Sequence, residues 1–404
     1  MSNLRLYKND PYLKSNVAHI TSIDEKNDMA CFSCDASVFF PEGGGQPSDR
    51  GTVSVGEHIY NITEAYDESL EADVWHLTDA PAGSFKVGDE VELTIDWDHR
   101  FKNMQRHCGE HMLSGTMHTL FGGVNKGFHM GEEYITIDID LDGRMLTEEE
   151  LDLAERTVNE AIWADLPVTI TYFDSYEASL AMPVRKQVPH DGEVSVVTVG
   201  ELPDPYDCIA CCGTHPDSSA QIGLLAIYKH EPNKGMNRIY FDCGIMAKEK
   251  LNSDMKLLYE LAKRNSCNTD DLLHKAEVEQ ANTSALKQQL AKMSSYIKDN
   301  EKSVIIEELN KAEGSLVYSL DLISIDELLK LGFSVIGETS GKLLILTHPA
   351  TCTALLFSSG EVKCGALVKE KAAAFNGRGG GRDDNARAVF SNARDMKQFA
   401  ESVR

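Results

Sequence analysis

No stretch of the 404 residues approaches the roughly 18 apolar residues that a membrane-crossing helix requires. The opening segment, Met1 to Ser15, lacks the apolar block of a secretory signal, because Lys8, Asn9 and Asp10 follow directly on Leu4, Leu6 and Tyr7. A soluble cytoplasmic protein with no membrane partner is therefore expected. In that reducing compartment the 10 cysteines are expected as thiols or metal ligands, not as a disulfide framework. Long repeats are missing, and so is low-complexity sequence beyond short glycine runs. Positive charge is scarce: 39 Lys and Arg face 64 Asp and Glu, a formal net charge of −25. This argues against general adhesion to nucleic acid, which depends on attraction to phosphate. The exception is Glu361 to Arg404, where nine bases oppose six acids, a +3 segment on a body carrying −28. Any contact with RNA is expected there.

What is present is an ordinary globular composition, 42% apolar and 25% charged, long enough for two or three domains. Residues 1–95 read as a small β-domain. Val53 to Val55 and Val91 to Ile95 alternate as half-buried strands do, and Gly43, Gly44, Gly45, Gly51, Gly56 and Gly88 punctuate them. Residues 96–245 mix periods. Phe101 to Leu120 suits a helix, and Tyr134 to Leu141 alternates strictly. Thr147 with Glu150 forms a helix-start signature, and Val168–Tyr172 and Val194–Val199 read as strands. Residues 246–312 read as a long helical linker, with Leu286, Leu290, Met293 and Ile297 on a heptad seam. That seam fits either a helix packed on its own protein or a dimeric coiled coil. Residues 313–404 read as a second α/β unit, with Val335–Ile336 and Leu343–Leu346 as strands and Ala386–Val403 as a terminal helix. The fold class expected is α+β and multidomain.

Three segments carry chemistry. In Arg106-His107-Cys108-Gly109-Glu110-His111 two imidazoles lie four residues apart, so one helix face can present both to one metal. With 13 histidines in the chain such a pair is weak alone. A metalloprotease would need Glu where Cys108 stands. Cys208-Ile-Ala-Cys211-Cys212-Gly213-Thr214-His215 is the second segment. Cys211 and His215 repeat the spacing of four and complete a set of three nitrogens and one sulfur suited to zinc. Cys212 could replace Cys211, and Cys208 with Cys211 also spells a redox-type Cys-x-x-Cys. The third is Phe39 to Gly51, whose Gly43-Gly44-Gly45-Gln46 allows a backbone to pass close to a ligand, or simply to turn. Gly337 to Lys342 imitates a phosphate loop but is one residue short and lacks the following Ser or Thr.

In this order the segments resemble one family, the AlaX alanyl-tRNA editing proteins and the editing region of alanyl-tRNA synthetase. Gln221-Ile-Gly223 and Arg238 to Gly244 extend the likeness. So do Asn268-Thr-Asp-Asp-Leu272 and Gly377-Arg378-Gly379-Gly380-Gly381-Arg382, which are similar to that synthetase's DHH-associated C-terminal domain. Cys212 departs from the family's usual glycine at that position, and Cys108 is a second extra thiol. The resemblance implies a long-form editing protein with a small β-barrel, a zinc-containing editing domain with an antiparallel sheet, a helical linker and a tRNA-binding C-terminal domain. It implies Zn2+ held by His107, His111, Cys211 and His215. Gly44, Gly45 and Gln46 are then expected to face the substrate ester, with His129 as a weaker pocket candidate. Arg378, Gly379, Gly380, Gly381 and Arg382 are expected to hold the tRNA body.

The reaction implied is hydrolysis of tRNA(Ala) mischarged with serine or glycine. A pocket shaped for alanine excludes neither a smaller residue nor an added hydroxyl strongly, so a second, hydrolytic site is needed. The chain as read opens on the β-domain and shows no ATP motif, so aminoacyl-tRNA synthesis is not expected. A noncatalytic tRNA-binding module with structural zinc is the alternative, and a cysteine redox protein is a third reading. A homodimer through the helical region is also expected.

Overall fold

The computed structural model describes residues 4–68, 72–186 and 191–404. The chain forms two compact units, residues 1–258 and 259–404.

The first unit begins with a closed antiparallel barrel. Its strands are β1 (Ser15–Lys26), β2 (Met29–Cys34), β3 (Gly51–Val55), β4 (His58–Tyr66), β5 (Trp75–Pro81) and β6 (Glu90–Ile95). They close in the order β1-β2-β5-β4-β3-β6. Alternation along these strands sends Ile20, Phe32, Val53, Ile62 and Leu93 inward. His76 is buried among them, stacked on Phe32 with ring centroids 5.0 Å apart. Its Nδ1–H donates to the Phe32 carbonyl at 3.2 Å, and its Nε2 accepts from the Ser37 hydroxyl at 2.8 Å. Burial holds this imidazole down at about 4.

Helix α1 (Trp97–Phe121) follows. Asp96 caps its start by accepting from the His99 N–H, and Gly122, in the left-handed conformation at φ 70°, ends it. Unlike a surface helix, α1 buries polar residues from Asn103 to Thr116 on almost every side. A polar helix so enclosed requires partners for each group, and those partners build the site described below. The strands β7 (Val124–Met130) and β8 (Ile135–Asp140) come next, then α2 (Glu148–Trp163), opened by the Thr147–Glu150 capping box. β9 (Val168–Phe173), β10 (Val194–Val199) and β11 (Asp207–Ala210) form one antiparallel sheet. β12 (Leu225–Asn233) and β13 (Met236–Cys243) join β8 and β7 in a second sheet, ordered β12-β13-β8-β7. Met112, Leu113, Ile137, Leu151, Val158 and Phe241 belong to the core between α1, α2 and these sheets.

Helix α3 (Gly244–Arg264) leads from this unit to α4 (Leu272–Lys311) of the second. The expected single helical stretch is therefore interrupted at residues 265–271. On α4 the heptad seam divides: Ile297 packs with Ile305 and Leu309, which lie off the seam, into the core of the second unit, whereas Leu286, Leu290 and Met293 are exposed. The remaining elements are β14 (Ser315–Ser319), α5 (Ile325–Val335), β15 (Leu343–His348), β16 (Thr353–Phe357), α6 (Cys364–Lys371), β17 (Gly377–Gly381), β18 (Asn385–Phe390) and α7 (Ala393–Ser402). The sheet order is β14-β15-β16-β18-β17, with only the β14–β15 pair parallel.

The α+β, multidomain class with a barrel, antiparallel sheets and a long helix is borne out. Two local expectations are corrected. Val335–Ile336 is not a strand. Ser324 caps α5, whose Leu328, Leu331 and Val335 fall at helical spacing on the core. Ala386–Val403 is not one helix. Ala386, Ala388 and Phe390 alternate inward as a strand, and Asn392 then caps α7. Gly377–Gly381, to which the sequence assigned no element, is a strand.

Candidate metal centre and its cavity

His107 and His111 project from successive turns of α1, with ring centroids 4.9 Å apart. His215 approaches both rings at 4.7 Å. The segment beyond β11 delivers it. There the Cys211 N–H donates to the Ser195 carbonyl at 3.0 Å, and the Gly213 N–H points at the Cys211 sulfur at 3.4 Å. A side chain at Gly213 would sit 2.3 Å from the His107 ring, so only glycine lets this segment close on the helix. Cys211 Sγ lies 3.4 Å from His107 Nε2. One ligand atom from each of His107, His111, Cys211 and His215 falls within 4.8 Å of all the others. Tetrahedral zinc, with bonds of about 2.0–2.3 Å, spans donors roughly 3.3–3.8 Å apart, so a small contraction completes the geometry.

Unpaired atoms test whether the residues fit a cation. Both ring nitrogens of His215 and Nδ1 of His111 are buried without a hydrogen-bond partner among the described residues. Each such atom costs about 1–3 kcal/mol unless something accepts its lone pair or hydrogen. Burial, with the neighbouring rings, holds His111 and His215 well below the usual imidazole range, and burial holds His107 at about 4. All three are therefore neutral, with lone pairs available to a metal. Burial and the adjacent Cys212 push the Cys211 thiol up; a cation among the rings supplies the charge its thiolate needs. The donor set fits zinc.

Gln46 stands behind this cluster. The barrel segment that carries it turns back on itself, with reciprocal Gly43–Gln46 backbone bonds of 3.1 and 2.9 Å and positive φ at Gly44 and Gly45. Those two angles are what a tight type I′ turn demands. The Gln46 side chain is fully buried. Its Oε1 accepts from His107 Nδ1–H at 2.9 Å and from the Thr214 N–H at 3.0 Å, and its Nε2 donates to Thr214 Oγ1 at 2.8 Å. The Gln46 side chain is thus held by His107 and Thr214 and is not among the residues lining the cavity, where it was expected to face the ester or terminal ribose. The turn itself does adjoin the cavity, through Gly44.

The cavity beside the cluster measures about 440 Å³. Its inner wall includes Glu110, Asn125 and Phe128, none of which the motifs singled out except by sequence adjacency to a histidine. Glu110 is buried, and its Oε1 accepts from Ser114 Oγ at 2.6 Å and Asn125 Nδ2 at 2.8 Å. Burial pushes its carboxyl up. His129 is excluded from the lining. It is exposed on β7, one residue beyond Phe128, and strand alternation turns it outward. Cys212 lines the cavity next to the glycine turn but stands outside the four-residue cluster. Cys108 lies in the apolar core, and Cys208 and Cys211 are free thiols, with Cys208 against Thr198.

In the second unit Arg378, Gly379, Gly380 and Gly381 lie on β17 and Arg382 on the turn after it. Gly377, Gly379 and Gly381 pair with the inward residues Phe390, Ala388 and Ala386 of β18. The intervening Arg378 and Gly380 pair with Val389 and Arg387 on the opposite face. Arg387, exposed there, joins the arginines that sequence reading had selected.

The first similarity is to a domain of the tRNA synthetases. The family model for the threonyl and alanyl tRNA synthetase second additional domain matches residues 194–240, which include Cys211 and His215. The particular kinship emerges from longer alignments. The chain is 25% identical over 389 residues to the alanyl-tRNA editing protein AlaX-L of Pyrococcus horikoshii, covering 95% of this chain and 93% of that protein. It is 33% identical over 205 residues to the alanyl-tRNA editing protein Aarsd1 of Bos taurus, covering 49% of this chain and 42% of the relative. It is 26% identical over 418 residues to the alanine–tRNA ligase of Methanobrevibacter smithii, covering 98% of this chain and 45% of the ligase. The resemblance to alanyl-tRNA editing proteins carried by the motifs therefore extends over nearly the whole chain.

Proposed function

We propose that the protein is an aminoacyl-tRNA deacylase that removes serine, and secondarily glycine, from mischarged tRNA(Ala). The carrying observation is a zinc-type ligand cluster, His107, His111, Cys211 and His215, opening onto a cavity large enough for an aminoacyl group. Hydrolysis adds water across the ester: the acyl carbon gains a hydroxyl, and the terminal ribose oxygen leaves with a proton. Zinc, when bound, supplies Lewis acidity and a fixed positive charge at this point. The chain's own residues do the rest. Gln46 orients His107, the glycine turn brings backbone beside the cavity, and Glu110 presents a carboxyl group where the substrate's α-ammonium enters. Arg378 to Arg382 hold the tRNA body through phosphate contacts. The long helix supports a homodimer, and ten free cysteines suit a reducing compartment such as the cytoplasm.

A complete set of four protein ligands also favours a second reading, a closed structural zinc in a noncatalytic tRNA-binding module. One experiment separates them. Release of serine and glycine from charged tRNA(Ala) is measured with the metal-loaded protein, after chelation and after zinc is restored. Metal-dependent release supports the deacylase; tRNA binding with no release by the loaded protein supports the module.

A further inference from the structure

Three cations around the cavity have no task in that reading. Lys126 comes from β7, and Arg185 and Lys186 come from the segment preceding β10; all line the same cavity as the metal ligands. Their gathering is notable in a chain of net charge −25. The carboxylates in the same lining offset them only in part, Glu110 through its attraction to Arg185. Glu193 is paired with Lys8, and Glu110 is held by Ser114 and Asn125. Among the described residues Lys126 and Lys186 make no ion pair and are exposed, so they stand at the cavity's rim. Arg185 differs. Its Nε donates to Asp207 at 2.7 Å, and its side chain is only 12% exposed. The buried Asp207 carboxylate thus fixes the guanidinium, and among the described residues its terminal nitrogens make no hydrogen bond.

We infer that Lys126, Arg185 and Lys186 form a phosphate-receiving rim that holds the 3′-terminal single strand of the tRNA while its aminoacyl ester enters the cavity. A ribose–phosphate strand inserting its last nucleoside must leave its next phosphodiesters at the mouth. On an acidic protein those phosphates need local cations to overcome repulsion. The anchored Arg185 supplies direction, and the two exposed lysines supply charge. This inference rests on the deacylase reading, and its test is arranged so that the two can fail separately.

Two variants are needed, because removing Arg185 leaves Asp207 unpaired: the double Lys126→Gln/Lys186→Gln, and Arg185→Lys. Each is compared with the parent on seryl-tRNA(Ala) and on 3′-seryl-adenosine, which has no phosphodiester. The double variant is expected to lose about 10-fold or more in kcat/KM on the tRNA ester, through KM, and at least tenfold less on the adenosine ester. Its binding to an uncharged single-stranded ACCA oligonucleotide should show a log–log salt slope shallower by about 1.4, for two lost phosphate contacts. Arg185→Lys keeps the charge and loses the fork, so it should retain the salt slope but weaken the oligonucleotide severalfold. Equal losses on both esters, or oligonucleotide binding indifferent to the double variant, would overturn the rim. If the parent hydrolyses neither ester, the deacylase reading fails, while the oligonucleotide slope still decides the rim.

Discussion

At the scale of single residues, the centre depends on side chains that never touch a substrate. Gln46 holds His107 in the tautomer that points Nε2 at the cluster. Gln46→Ala should therefore weaken zinc affinity by about 10–100-fold, measured by competition with a chromophoric chelator. Gln46→Glu keeps an acceptor for His107 and for the Thr214 N–H and should recover much of that loss. If both variants bind zinc like the parent, Gln46 does not position the ligand. The two adjacent cysteines should separate equally cleanly. Cys211→Ser is expected to abolish stoichiometric zinc, whereas Cys212→Ala should retain it, because only Cys211 belongs to the cluster. The four ligands were legible in the sequence because two pairs share a spacing of four and chemistry suited to zinc. Gln46 was legible as important but not in its role, since the barrel turn meets residues 211–215 only after folding. His129 was misplaced by parity: a strand that turns Phe128 toward the cavity turns the next side chain away. Glu110, Asn125, Lys126, Arg185 and Lys186 carried no motif, and convergence from separate elements defines them.

At the scale of elements, burial sets what each can tolerate. The barrel encloses His76 as a neutral ring held near 4, against an ordinary 6.5 when unfolded. The unfolded chain thus binds more protons between these values, and stability falls as pH drops from about 6.5 to 4. The contribution is about 3 kcal/mol at its limit. Urea unfolding of the parent and His76→Gln at pH 7.5 and pH 5 should show a smaller pH dependence in the variant; equal slopes would remove His76 as a cause. In the second unit, β17 was hard to foresee because glycine is a poor strand former and usually marks a turn. Glycine is needed in this strand because a Cβ at Gly379 would lie 2.0 Å from the Arg387 carbonyl oxygen, so bare backbone is what fits. Gly379→Ala should cost about 1–3 kcal/mol in thermal or urea unfolding. The alanines of β18 misled in the opposite sense. Their helix propensity is high, but Ala386 and Ala388 face a core reached only at every second residue.

At the scale of the whole molecule, RNA binding by a chain of charge −25 should rest on a few basic places and be steeply salt-dependent. A chain ending at Arg264 removes the second unit beyond α3 while leaving every metal ligand. It is expected to keep zinc and to lose affinity for tRNA(Ala), read by filter binding and metal analysis. Undiminished tRNA affinity would assign the second unit to assembly alone. The position of β17 adds a different consequence. It is the last strand of its sheet, with no further strand beside it among the described residues. Such a border invites another chain to add itself and grow an aggregate. Glycines that disfavour an extended partner, and Arg378 and Arg382 that repel the same border of a second copy, guard against this. This composition therefore opposes pairing of two copies edge to edge through β17. On warming at high concentration, Arg378→Ala/Arg382→Ala protein should scatter light before the parent does.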